Sequence, residues 1–477
     1  MTLPDSGRPP ADVLADLRAL RAADAPTVGG RTWAYVYDAG SAEHDELTAA
    51  AFLEMLPTNA LDPTAFTSTA AVENGIVAAT REILGGGPAT AGIVTSGGTE
   101  SILLAVKSAR DLRPDVERPA IVVPETAHPS FRKAAHYLGL DVVEIAVDAE
   151  TFRADPASLR DRLDERAVLV VGSAPSYPHG VIDPIEELAR IASEAGVAFH
   201  VDACVGGFLL PFQRENGDPV PPFDLSVPGV TSISADVHKY NYTPKGASVV
   251  LFADAERRRA AYFASARWAG YPVINPTIQS ARTAGGPGAA WASLQHLGRD
   301  GLRRVTAEAR EAAVRIVAGV ETIDGIRVLG TPESVLVAIA SDDPAVDIHV
   351  VIHEARTRGF GVQTQLSYGA SPASLHLSAD AGSLPVVDDL LEVLAASVAA
   401  ARVQELEPLP EGLAEGLQGL DPSFVTEEVL DGFAAAAGVD TEDAGTGGPL
   451  VDRILDVAPP AIREVLVERF YGRLFPG

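Results

Sequence analysis

Long apolar runs, paired cysteines and a surplus of cations are all missing from this chain. No apolar run approaches the roughly 18 residues that would span a bilayer. The opening MTLPDSGRPP also lacks a charged stretch followed by an apolar one. Neither a membrane-spanning role nor a secretory leader is expected. The single cysteine, Cys204, can form neither an internal disulfide nor a thiolate metal site, so nothing calls for an oxidising compartment. The cytoplasm is the expected location. Only 37 Lys and Arg stand against 65 Asp and Glu, a formal charge of -28, which argues against nucleic acid or an anionic membrane as partner. A GxGxxG fingerprint is absent too, so dinucleotide binding of the Rossmann type has little support.

What is present is a chain of 477 residues, 47% of them apolar, enough to fill a large core. From about residue 90 to 255, short apolar runs alternate with helical segments, the signature of an α/β fold with a largely parallel sheet. The runs AGIVTS, AIVVPE, VVEIAV, AVLVVGS, AFHVDA, SISAD and SVVLFA are too short and too β-branched to be helices. Between them, Glu100 to Asp111, Ser130 to Leu138 and Ile185 to Glu194 have helical spacing. A long helix is expected from Trp291 to Gly319, leading into a smaller α/β unit with strands at IRVLG and LVAIAS and a helix from Ile348 to Arg358. The expected organisation is an N-terminal segment (1–60), a large cofactor-binding domain (61–319), a small domain (320–403), an acidic linker or excursion with partial disorder (404–452) and a C-terminal helix (453–477).

Three motifs fall at strand ends. In TSGGTES the glycine pair Gly97 and Gly98, followed by Thr99, lies between a strand and a helix, where backbone N–H groups can cup an anion. Alone, such a pair commonly makes only a tight turn. Asp202 ends the apolar strand of HVDAC, and a carboxylate there needs a cationic partner, structural or catalytic. Lys239, in SADVHKY, follows another strand; a lysine in that place is usually solvated. Together the three change the reading, because open α/β sheets place their sites outside the carboxyl ends of strands. A phosphate seat, a carboxylate and an amine converging on one crevice suit pyridoxal 5′-phosphate (PLP).

These motifs, with HPSFRKAA, GSAPSYPHGVIDPI and WASLQHLG, occur in ordered blocks between about Tyr37 and Leu377. In them the chain resembles the group II PLP-dependent decarboxylases, and among these the sphingosine-1-phosphate lyases. The resemblance implies the fold-type I PLP-transferase architecture, with a large mixed sheet domain and a smaller C-terminal α/β domain. It implies that Lys239 is the Schiff-base lysine, that Asp202 pairs with the pyridine nitrogen, and that His128 stacks on the ring. Gly97, Gly98 and Thr99 would hold the cofactor phosphate with help from His238, and Cys204 would pack on the ring face opposite His128. His200 and His179 are expected to make supporting hydrogen bonds, while His136, His296 and His376 read as core or helix-face residues.

In the lyases three groups grip the substrate phosphate: a tyrosine, a histidine and a lysine. The matching stretches here, AYVYD, ALDPT and PKGAS, supply Tyr37, Asp62 and Lys245. Asp62 thus stands where the resemblance expects a histidine. A carboxylate facing the pocket would repel a phosphate, and weak cleavage of phosphorylated sphingoid bases is the expectation; otherwise Asp62 only opens a turn before Pro63. A homodimer is implied, with the Arg282 loop reaching toward the neighbour. Three activities remain open: carbon–carbon cleavage of a β-hydroxy amine or amino acid, amino-acid decarboxylation, and PLP binding without turnover. Intact Lys239, Asp202 and His128 argue against the last.

Overall fold

Short β-branched runs alternating with amphipathic helices can bury both faces of a sheet only by covering it on each side. The computed structural model, which describes residues 3–404, 409, 412–429, 431 and 448–475, shows this arrangement. The seven expected runs form β1 (Ala91–Thr95), β2 (Ala120–Pro124), β3 (Asp141–Ile145), β4 (Ala167–Ser173), β5 (Ala198–Asp202), β6 (Ser232–Ala235) and β7 (Ser248–Phe252). They lie in one sheet in the order β1-β7-β6-β5-β4-β2-β3. Strand β7 pairs antiparallel with both neighbours and all other pairings are parallel, so β7 alone runs against the other six. The carboxyl ends of β1, β2, β4, β5 and β6 therefore open on one edge. Strands β2, β4 and β7 are buried at every position, which is why their sequences read as unbroken apolar runs.

The helices Gly98–Asp111, Ser130–Leu138 and Ile185–Glu194 form where their spacing predicts them. The long helix differs. It covers Gly285–Val320 but is broken at Gly298, whose φ of 55° and ψ of -168° no helix interior has. Before it comes a hairpin, β8 (Phe263–Ser265) with β9 (Val273–Asn275). After it, β10 (Ile326–Val328), β11 (Leu336–Ser341), β12 (Gln363–Gln365) and β13 (Ser374–Ser378) make an antiparallel sheet in the order β10-β11-β13-β12. Strand β12, QTQ, is short and polar, without the pattern that betrays the others.

Two terminal regions differ from expectation. Trp33 is fully buried, its backbone N–H donates to Gly361 O (2.7 Å) and its carbonyl accepts from Ser378 N (2.7 Å), so this stretch of the N-terminal segment lies against the small sheet and delivers Tyr37. In the segment expected as an acidic linker or excursion, the described residues include the helix Leu413–Gln418 and the turn Pro422–Phe424. Leu417 and Val425 share a small core with Ala458, Ile462 and Leu466 of two C-terminal helices, Pro449–Val457 and Pro460–Leu474. Acidic surface residues hid these few apolar anchors from a reading by composition. Residues 432–447, on which part of the expected disorder falls, lie outside the described residues. Among the described residues, no helix is long and apolar enough to cross a membrane.

Candidate active site

The open edge of the large sheet holds a cavity of about 400 Å³, into which β1, β2, β4, β5 and β6 each lead. The turn after β1 contributes Gly97, Gly98 and Thr99. No side chain caps the helix Gly98–Asp111, and its positive end faces the cavity. Gly98 is required there: a Cβ would come within 2.7 Å of Cys204 Sγ and 2.8 Å of Asp236 Oδ1. Glu100, one residue past Thr99, is buried and ties this turn to a distant loop. Its Oε2 accepts from Ser96 N (2.6 Å) and its Oε1 from Ile278 N (2.7 Å).

His128 follows β2, just before the helix Ser130–Leu138. Its Nδ1 accepts from Ser130 N (3.2 Å) and lies 2.8 Å from Ser130 Oγ, and Ser130 Oγ lies 2.9 Å from Thr99 Oγ1. The neutral ring consequently carries its proton on Nε2. Burial pulls the His128 pKa below the usual histidine value, only partly opposed by Asp202. Asp202 is the last residue of β5, and its Oδ1 accepts from Cys204 N (3.0 Å). Cys204 lines the cavity, and burial with the nearby Asp202 and Asp236 carboxylates pushes its thiol pKa well up. A packing role suits that thiol better than nucleophilic attack.

Lys239 lies four residues beyond β6 with Nζ 3.0 Å from Asp236 Oδ2. Burial opposes the charge on Lys239, but Asp236, Tyr37 and Cys204 raise its pKa well above the lysine range. His238 Nε2 is 3.8 Å from the same Asp236 oxygen, while its Nδ1 is buried without a hydrogen-bond partner. Asp236, which also accepts from Ser248 Oγ, is the residue the motif reading passed over. Its signal was present: a carboxylate just past the end of β6, three residues before the lysine.

Beside the cavity, Lys245 Nζ stands 4.2 Å from the centre of the Tyr37 ring, which meets Tyr240 edge-on at 5.2 Å. The residue as a whole is exposed, but crowding around its amine and the Lys239 ammonium pull the Lys245 pKa down to about 8. Tyr177, another residue not singled out from sequence, lines the cavity and donates its hydroxyl to Gln363 Oε1 of the small sheet (2.7 Å).

Asp62 does not join this group. It is exposed, and its Oδ1 accepts from Thr64 N (2.9 Å), Thr64 Oγ1 (2.6 Å) and Ala65 N (3.3 Å). Those hydrogen bonds from Thr64 and Ala65 lower its pKa and make it a turn residue. The expectation that it faces the substrate is corrected accordingly. Arg282 pairs with Glu73 of its own chain. His179 stacks on Phe152 at 4.0 Å with its Nδ1 unpartnered, in place of the expected supporting hydrogen bonds.

An unclaimed helix N-terminus, an orphaned buried His238 nitrogen, a carboxylate and an amine line one cavity, and this donor set fits a phosphate-bearing pyridine aldehyde. Residues 54–340 match the family model described as the pyridoxal-dependent decarboxylase conserved domain. The chain belongs to that family. Its cofactor is PLP, and it is an enzyme of the PLP-dependent lyase class. Residues 411–473 match a second model, a pyridoxal-dependent enzyme C-terminal putative HTH domain. The sphingosine-1-phosphate lyase of Arabidopsis thaliana is 39% identical over 80% of this chain and 70% of its own length. Sphingosine-1-phosphate lyase 1 of Rattus norvegicus is 38% identical over 79% of this chain, which spans 65% of that protein. The solved sphingosine-1-phosphate lyase of Burkholderia pseudomallei superposes with a TM-score of 0.80 at 36% identity, covering 84% of this chain and 93% of the other. The fold is therefore that of the fold-type I PLP enzymes.

Proposed function

We propose that this enzyme cleaves the Cα–Cβ bond of a β-hydroxy amine that carries an anionic head group, with PLP joined to Lys239. The observation that carries the reading is Lys245. Among the described residues this ammonium, on an exposed residue beside the cavity, has no carboxylate ion pair, stands over Tyr37, and lies close enough to Lys239 and Asp236 for their charges to shift it. An anion on the substrate would supply the missing counter-charge. Asp62, held in its surface turn, is not among the residues that line the cavity and so sets no carboxylate of its own against a phosphate there.

When bound, PLP supplies an electron sink for the pair left on the α-carbon. Asp202 is assigned to the ring nitrogen, and the Gly97–Thr99 turn with His238 to the phosphate. His128, held neutral and oriented by Ser130, is assigned to the ring face. Cleavage removes the β-hydroxyl proton, releases an aldehyde and returns a proton to the α-carbon. Assaying sphingosine 1-phosphate, unphosphorylated β-hydroxy amines and amino acids for aldehyde and carbon dioxide tests the reading. Aldehyde from the anionic substrate is expected; carbon dioxide from amino acids would instead establish the decarboxylase reading that the family description favours.

We further propose that the working unit is a homodimer. Phe263, Trp268, Tyr271 and Ile274 on or beside the β8–β9 hairpin, and Ile278 just after it, are all more than half exposed, an apolar surface a second copy would cover. A monomeric mass in light scattering with full activity would remove this part of the proposal.

A further inference from the structure

The face of the large sheet beneath the cavity carries polar residues where a core would ordinarily be apolar. Strands β5 and β6 pair in parallel with His200 opposite Ser232 and Asp202 opposite Ser234. Side chains two apart on a strand share a face, so the four form a square on the cavity side, while Val201 and Ile233 point into the core behind. His200 and Ser234 are fully buried and Ser232 nearly so. Unpaired polar groups there would be costly. They are paired: His200 Nδ1 lies 2.8 Å from Ser232 Oγ, His200 Nε2 3.2 Å from Ser234 Oγ, and Ser234 Oγ 3.5 Å from Asp202 Oδ1. Cys204 Sγ is also directed at Ser234 Oγ, at 3.3 Å.

The direction of the chain follows from its end. An ionised Asp202 only accepts, so Ser234 must donate its hydroxyl proton to it. Ser234 Oγ then accepts from His200 Nε2–H and from the Cys204 thiol. His200 Nδ1, left as acceptor, takes the Ser232 hydroxyl proton. Every donor in the file points toward Asp202. Burial holds the His200 pKa down near 4 despite Asp202, so the ring stays neutral and keeps this one tautomer at working pH.

We infer that the file Ser232–His200–Ser234 is a positioning device that keeps Asp202 ionised and so keeps the shared proton on the cofactor's ring nitrogen. This rests on the pairing of Asp202 with that nitrogen proposed above. The two partners share one proton: with it on nitrogen the pair is carboxylate and pyridinium, with it on oxygen both are neutral. A hydrogen bond into Asp202 favours the charged form. Removing that bond moves the proton toward oxygen and weakens the electron sink without touching the substrate contacts.

The test uses the intact holoenzyme loaded with PLP labelled with ¹⁵N in the ring, whose shift reports nitrogen protonation directly. Ser234→Ala and His200→Leu are expected to move the resonance toward the neutral position and to lower kcat about tenfold to a hundredfold, with KM nearly unmoved. His200→Gln, which can still present an N–H to Ser234, should recover most of both. An unmoved ring nitrogen in Ser234→Ala, or a Gln variant no better than Leu, overturns the inference. Ser234→Ala, the smaller change, decides the matter should His200→Leu not fold. Asp202→Asn serves as the control: if it leaves the nitrogen protonated, the Asp202 assignment itself fails, whereas a shift there with none in the file variants sinks only the relay.

Discussion

Two lysines six residues apart in sequence occupy opposite electrostatic settings. Lys239, on the cavity floor, has the Asp236 carboxylate 3.0 Å from its amine and a pKa raised despite burial. Lys245, at the side, has an aromatic face and, among the described residues, no carboxylate ion pair, and a pKa lowered to about 8. Lys239 is the more deeply covered of the two, Lys245 being exposed, so burial alone would lower the Lys239 pKa further; the neighbouring carboxylate reverses that order. Acidity alone would make Lys245 the readier free amine near neutral pH; placement among Asp202, His128 and the Gly97–Thr99 turn is what supports the proposal of Lys239 instead.

The comparison breaks most sharply at the covalent link. Lys239→Ala should abolish turnover, and borohydride reduction followed by peptide mapping should find the pyridoxyl group on Lys239 of the unaltered protein. Recovery of the label on Lys245 would reverse the two assignments. Next in size is Asp202→Asn, expected to retain PLP while lowering kcat about a hundredfold or more, as the carboxylate that favours a protonated ring nitrogen is lost; cofactor stoichiometry read beside steady-state rates checks it.

Lys245→Met should leave PLP in place and raise KM for an anionic substrate about tenfold to a hundredfold, the worth of one hydrogen bond to a charged group. The sign of the pH effect follows from the lowered pKa. Lys245 is charged below about pH 8 and neutral above it, so KM for the anion should climb as pH rises through that value. In Lys245→Arg, whose guanidinium stays charged, the climb should vanish from that window. A KM profile flat across pH 7 to 9 in the unaltered enzyme would show that Lys245 does not hold the substrate.

The smallest effect is expected at Asp62. Asp62→His should change KM for phosphorylated and unphosphorylated substrates alike by less than about twofold, and lower stability only slightly through the lost turn hydrogen bonds. A clear, selective gain for the phosphorylated substrate would return Asp62 to the substrate pocket, for instance through assembly with a second copy.

By itself the sequence determined the large sheet, because seven strands buried on one or both faces cannot avoid reading as short apolar runs, and it marked the three strand ends where chemistry gathers. Gly98, Asp202 and Lys239 were legible since each is a residue type an apolar strand end would not otherwise carry. Side-chain partnership was decided only by the tertiary structure. Asp62 and Asp236 are the same residue type in equally ordinary surroundings on paper, yet one is satisfied by its own turn and the other by a buried amine. The small core around Leu417 and Ile462 was equally hidden, since its anchors come from segments about 40 residues apart. Local pattern reports what a residue prefers; which partner satisfies it depends on contacts between distant segments, and only the folded chain makes those.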